Sequence, residues 1–211
     1  MKTFSVLVLL TAGLSGAASA QETWTGAYAG LSAGYAKADF GWDNLEVDTA
    51  EVPAEGDGAT FGLRAGYDQQ FGQTVVGGFA EYGKMDISGT GVHSLYPTDN
   101  VEYTVEDYLL VGARAGRLVG GALVYGTGGV AVSELQTTYT NPRVFVYEPE
   151  RLVGFMVGVG YERMLTTDWS VMTELRYVDF KEQARDPVGN TVRNEIGYET
   201  TSLIVGLHRR F

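Results

Sequence analysis

The sequence predicts an all-β protein whose eight antiparallel strands follow one another up and down and close into a barrel. Apolar residues alternate with polar or small ones, as in TFGLRAGYD (60–68) and WSVMTELRYVDF (169–180), which is the period of a β-strand. The connections between these stretches are alternately long and short. Beyond the N-terminal leader no run of ~18 apolar residues occurs, so a membrane-spanning helix is excluded.

The eight predicted strands and their connections define the order of the barrel. The short connections are predicted to be tight turns. An up-and-down order places these turns and both termini at one end of the barrel, and all long connections at the other end. Closing the sheet removes its two unpaired edges, and side chains can fill the interior of eight strands. The strands are expected at 27–40, 58–71, 75–88, 102–118, 122–139, 151–164, 169–182 and 197–211.

The distribution of glycine indicates which face of each strand lines the interior. Arg64 lies between Gly62 and Gly66 on one face, and Glu162 shares its face with Gly160. Glycine weakens a strand, so a solvated face does not need it, whereas a crowded interior uses it to accommodate large ionic side chains. The polar face is therefore predicted to point inward.

The opposite, apolar face is then the outer wall of the barrel. On the seventh predicted strand, aromatic residues Trp169 and Tyr177 bracket aliphatic ones. Eight residues rise ~26 Å at ~3.3 Å each, or about 20 Å once the strand is tilted by ~40°, which suits the lipid-facing band of an outer-membrane barrel. The fold prediction is thus an eight-stranded transmembrane β-barrel.

Residues 1–20 are predicted to be a secretory signal peptide, leaving one barrel domain over 21–211. Lys2 precedes an apolar stretch, and the leader ends in Ala18-Ser19-Ala20, the pattern of a cleavage site. The chain has 26 acidic and 15 basic residues, and loss of Lys2 brings the mature net charge to about −12, which disfavours nucleic acid as a partner. Cysteine is absent, which excludes disulfides and thiolate sites.

Three segments resemble a known family. WTGAYAGLSAGYA (24–36), ELRYVDF (174–180) and the last strand ending in Phe211 are similar to the OmpA-like barrels of Gram-negative bacteria, including the alphaproteobacterial surface-antigen group. The resemblance implies location in the outer membrane and recognition of the last strand by the barrel assembly machinery, with Gly206 and Phe211 as the signal. Arg209 stands where the family usually has an aromatic residue.

Six charged residues are predicted to form an ionic network inside the barrel. Three positive and three negative charges nearly cancel, and buried charges must be paired. A structural plug is the leading interpretation, and a gated path for small solutes is the alternative. The six residues are Arg64, Glu81, Arg114, Glu162, Glu174 and Arg176.

The first long connection, 41–57, is predicted to be an acidic surface loop with no basic residue. Its spacing does not match a calcium loop, which needs six to eight oxygen ligands at defined positions. A solvated loop is the interpretation, and binding of cations that bridge lipopolysaccharide is the alternative. Its acidic residues are Asp43, Glu46, Asp48, Glu51, Glu55 and Asp57.

Enzymatic activity is the least favoured function, with no catalytic residue, cofactor or metal ion expected. Some barrels of this size modify lipid A through histidine, serine and an acidic residue. Here His93 and Ser94 are adjacent on a loop and point apart if extended, and His208 is expected inside the barrel.

The sequence therefore favours a non-enzymatic outer-membrane barrel that stabilises the envelope and presents its long loops at the surface. Expected partners are outer-membrane lipid or lipopolysaccharide, the barrel assembly machinery and surface or host ligands. A narrow porin and an adhesin are the alternatives. Conductance would distinguish the porin, and loss of host-cell binding after deletion of 41–57 would distinguish the adhesin.

Overall fold

The computed structural model describes residues 24–44, 54–92, 100–141, 143–146, 149–185 and 194–211. The predicted signal peptide, 1–20, lies outside these residues. Within them the chain forms nine strands, eight long and one of four residues. The strands are β1 Gly26–Asn44, β2 Ala54–Phe71, β3 Thr74–Val92, β4 Asn100–Val119, β5 Ala122–Asn141, β6 Arg143–Val146, β7 Glu150–Met164, β8 Trp169–Arg185 and β9 Asn194–Arg210.

The eight long strands form a closed antiparallel barrel, as the sequence predicts. Each pairs with its neighbour in the chain order, β5 pairs directly with β7, and β1 pairs with β9 to close the ring. Tight turns join β2 to β3, β4 to β5 and β7 to β8, and Gly72, Gly120 and Gly121 have positive φ in the first two of them. In the described part of the chain no helix is long and apolar enough to cross a membrane.

Several strands run further toward the long connections than predicted. The ladder between β1 and β2 continues to the pair Phe40 and Ala54, so Glu55 and Asp57 lie on β2 with exposed side chains rather than in a loop. The prediction that they belong to the loop is wrong, because the backbone hydrogen bonds of the hairpin continue past them. The short strand β6 pairs with β5 inside the predicted connection 140–150.

The inward and outward faces are those that the glycine pattern predicts. Leu63 on β2 is 59% exposed, and Val157 and Leu175 are also exposed, whereas Arg64 and Glu174 are buried. An apolar outer wall around a charged interior is the arrangement of a barrel immersed in lipid.

Glycine lies directly across from each of four central charged residues. Its missing side chain leaves room for the long ionic side chain beside it, because cross-strand neighbours have Cβ atoms only about 5 Å apart. The pairs are Arg64 with Gly30, Arg114 with Gly77, Glu174 with Gly160, and Arg176 with Gly158.

The polarity of the interior changes along the barrel axis. Toward the long connections, the inward residues are apolar and buried, including Phe40, Ile87, Tyr103, Leu135 and Phe180. The outward residues at this level are charged and exposed. They include Lys37, Asp39, Glu55, Asp86, Glu102 and Glu199. This upper part of the barrel therefore resembles a water-soluble barrel set above the lipid-facing band.

Gly160→Ala is expected to destabilise the barrel by about 1–3 kcal/mol through overpacking. A Cβ at Gly160 would overlap the ring of Tyr125, whose hydroxyl donates to Glu174 at 3.1 Å. Gly126→Ala is the matched control, because its Cβ would point outward, with Gly158 O the nearest atom at 3.8 Å. Urea unfolding in detergent measures both, and equal stability of the two variants would contradict the crowding of the interior.

Candidate functional site

Four charged residues form an upper ion cluster in the middle of the barrel. Arg64 donates from Nε to Glu81 at 2.7 Å and from both terminal nitrogens to Glu174 at 3.1 Å. Arg176 donates to Glu81 at 2.9 and 3.2 Å and to Glu174 at 2.8 and 2.9 Å. Each arginine therefore contacts both carboxylates, and the cluster carries no net charge.

Neutral groups satisfy the remaining acceptors of the upper ion cluster. Tyr108 donates its hydroxyl to Glu81 at 2.9 Å, and Tyr125 donates to Glu174 at 3.1 Å. The guanidinium of Arg64 lies 4.4 Å from the centroid of the Phe79 ring, a cation–π contact. Buried ion pairs persist only with such additional bonds, because their desolvation is costly.

A lower ion cluster lies nearer the tight-turn end. Arg114 donates to both oxygens of Asp68 at 2.8 and 2.5 Å and to Glu162 at 2.6 Å. Arg210 contacts the same two carboxylates at 2.9 and 3.2 Å. His208 Nδ1 lies 3.1 Å from Glu162. Two arginines thus balance two carboxylates when the histidine is neutral.

Apolar residues close the barrel below the lower ion cluster. Trp24, Val75, Leu123 and Met164 are buried in one group with Tyr125. The guanidinium carbon of Arg210 lies 4.4 Å from the centroid of the Trp24 ring. Arg210 also donates a hydrogen bond to the backbone oxygen of Trp24 at 3.3 Å. Trp24 is thereby fixed across the lower opening.

Aromatic residues close the barrel above the upper ion cluster. Tyr198 stacks on Phe180 with ring centroids 4.4 Å apart, and Phe40 stacks on Tyr103 at 5.1 Å. Between Phe180 and Arg176 lies a cavity of about 20 Å³, enough for one water molecule. In the described part of the barrel, ions and aromatic rings therefore fill the section through which a solute would have to pass.

All six residues predicted for the interior lie there, but in two clusters rather than one network. The upper cluster takes Arg64, Glu81, Glu174 and Arg176, and the lower takes Arg114 and Glu162. Asp68 and Arg210 were missed as members of the network. Both were detectable, because Asp68 shares its strand face with Arg64 and Arg210 shares its face with His208.

The other predicted residues lie outside the two ion clusters. Phe211 is 72% exposed at the lower rim, where its amide donates to Ala27 O at 2.9 Å. Gly206 lies on the inner face against Met172. Of the acidic set, Asp43 has its backbone in β1, and its side chain lies outside the described residues. Glu46, Asp48 and Glu51 lie outside them entirely, as do His93 and Ser94.

Ser170 lies beside Glu162 and His208 of the lower ion cluster, but the three residues are not in the order of a hydrolase triad. Ser170 donates to Glu162 at 2.5 Å, and the same carboxylate oxygen faces His208. A nucleophilic serine would instead donate to the histidine, with the acid on the other ring nitrogen. All three side chains are fully buried, so this group has no access to a substrate.

A closed antiparallel barrel with an apolar outer wall and a charged interior defines a transmembrane β-barrel. The model of the outer membrane protein beta-barrel domain matches residues 6–211, and the chain belongs to this family. It is 28% identical over 206 residues to a 31 kDa outer-membrane immunogenic protein of Brucella melitensis, covering 90% of this chain and 84% of the relative. The protein is thus an outer-membrane protein.

Solved structures share the fold. OprG of Pseudomonas aeruginosa, an outer membrane protein, has a TM-score of 0.54 at 12% identity, covering 89% of this chain and 96% of OprG. The outer membrane protease OmpT of Escherichia coli has a TM-score of 0.54 at 11% identity, covering 88% of this chain and 97% of OmpT. At these identities the likeness concerns the fold alone.

Proposed function

We propose that the protein is a non-enzymatic structural barrel that stabilises the outer membrane and presents its long connections at the cell surface. The observation that carries this proposal is the interior of the described barrel, in which two ion clusters, each with as many arginines as carboxylates, lie between buried apolar groups at both ends. Such an interior supports stability rather than transport. It also supports the absence of catalysis, because the serine, histidine and acid that lie together are buried.

The distribution of charge on the upper barrel supports surface presentation. Outward carboxylates dominate the strand extensions above the lipid band, for example Asp39, Glu55 and Glu199, and such groups require water. The relative from Brucella melitensis is named an immunogenic protein, which agrees with a surface accessible from outside. The exposed carboxylates and the name of this relative support interaction with external partners through the long connections.

Reconstitution in a planar lipid bilayer tests the closed interior. The protein is expected to give no discrete conductance steps, because ion pairs and rings fill its cross-section. A porin of about 16 strands, whose lumen is an aqueous channel, serves as the control in the same bilayer. Reproducible unit steps from the folded protein would instead establish the narrow-porin alternative.

A further inference from the structure

A shallow apolar groove of about 670 Å³ crosses the outer wall of the barrel from β3 over β2 and β1 to β9 and β8. Its sides carry Phe61, Leu31 and Leu207. Neighbouring strands lie about 4.8 Å apart, so the groove extends about 19 Å across these five strands. Its length and its apolar lining suit an extended hydrocarbon chain.

The strand register explains why the wall is recessed here. Ala33 stands directly between Phe61 on β2 and Val205 on β9, so a methyl group lies between two larger outward side chains. Gly62 and Gly206 face the interior and contribute only backbone atoms to the groove. The depression therefore results from one small outward residue within a row of large ones.

The upper end of the groove carries a positive charge. Lys84 on β3 is the cross-strand partner of Phe61, and its side chain is 67% exposed. It lies ten residues after the start of β3, about 33 Å along the strand and about 25 Å in height at the usual tilt, which is the height of the lipid-facing band. Its ammonium group is thus at the extracellular boundary of the membrane.

The ammonium group remains available to an anionic lipid. Its partner Asp107 lies 3.4 Å away in a pair exposed to solvent, and such pairs contribute little. Lysine binds phosphate as a point charge, and its aliphatic stem can extend along the apolar wall. An apolar lining with a few convergent polar groups is the usual composition of a ligand site.

We propose that this groove binds lipid A, with an acyl chain running past Phe61 and Ala33 and a phosphate on Lys84. The extracellular leaflet of the outer membrane supplies this lipid, and the groove meets that leaflet at its charged end. The site lies on the outer wall, so it does not depend on the closed interior or on the surface role proposed above.

Native mass spectrometry of the folded barrel with added lipid A tests the site. Ala33→Trp fills the groove and is expected to reduce retained lipid A about tenfold. Ala113→Trp is the matched control, because Ala113 also faces outward, on β4 beyond the groove, and it should retain lipid A as the parent does. Equal retention by the two tryptophan variants would overturn the groove as the site.

The phosphate contact is tested separately with Lys84→Gln, an exposed change that leaves the barrel wall intact. It is expected to weaken retention of lipid A about fivefold and to leave dephosphorylated lipid A unaffected. An equal effect on both lipids, or no effect on either, would overturn the proposal. Heat-modifiable mobility on gels verifies that each variant is folded.

Discussion

Replacing Glu174 with alanine is expected to lower the free energy of unfolding by about 3 kcal/mol, because removal of one partner leaves buried charge uncompensated. Glu174 accepts hydrogen bonds from both Arg64 and Arg176. After the substitution Glu81 alone faces two guanidinium groups, and the upper ion cluster carries a net positive charge. Urea unfolding in detergent or lipid vesicles measures the loss.

Glu102→Ala is the matched control for Glu174→Ala. Glu102 lies on β4 with its side chain exposed on the outer face, where a substitution usually changes stability by less than about 0.5 kcal/mol. Both variants remove one carboxylate, so the difference between them isolates burial. A similar unfolding midpoint for the two would show that the upper ion cluster does not stabilise the barrel.

The fold was predictable because each strand of a membrane barrel presents an apolar face to lipid and a polar face to the interior. Along β2 the outward residues Phe61 and Leu63 are apolar, and the inward residues Gly62 and Arg64 are small or charged. This contrast repeats strand after strand with a period of two. The same contrast indicates the inward face, so the positions of the buried arginines followed from the pattern.

The inverted upper part of the barrel was not predictable from the same rule. Above the membrane the inward residues are apolar, such as Ile87 and Tyr103, and the outward residues are charged. Outside the bulged residues the period of two is the same as in the lipid-facing band, so the pattern alone does not show at which depth the polarity of the two faces is exchanged. Register shifts also occur here, between Lys84 and Ile87 and between Val105 and Tyr108, and a bulge disturbs the alternation of the strand that carries it.

The grouping of the charges into two clusters depends on contacts between distant parts of the chain. Arg64 and Glu81 are cross-strand neighbours, a pairing that hairpin register alone could have given. Arg64 and Glu174, however, meet across the interior from β2 and β8. Their contact depends on the stagger of all the strands around the closed ring, which the sequence does not display locally.

The lower ion cluster predicts strong coupling between Arg114 and Asp68. Arg114→Met leaves Asp68 and Glu162 with Arg210 alone, and Asp68→Asn leaves Glu162 with two arginines. Each single change is expected to cost about 3–5 kcal/mol, because it leaves one buried charge unbalanced. In the double variant Arg210 and Glu162, 3.2 Å apart, remain as a balanced pair. Its loss of unfolding free energy should therefore be about 2 kcal/mol smaller than the sum of the two single losses.

A double-mutant cycle on unfolding free energies measures this coupling. The control cycle combines Asp68→Asn with Arg151→Met, since Arg151 pairs with Glu134 at 2.8 Å on the exposed outer face. Distant, independent changes add to within about 0.5 kcal/mol, so the control should show additivity. If the Arg114 and Asp68 changes were also additive, the stability of the lower ion cluster would come from packing rather than from charge balance, and the same balance could not be the reason that the interior stays closed.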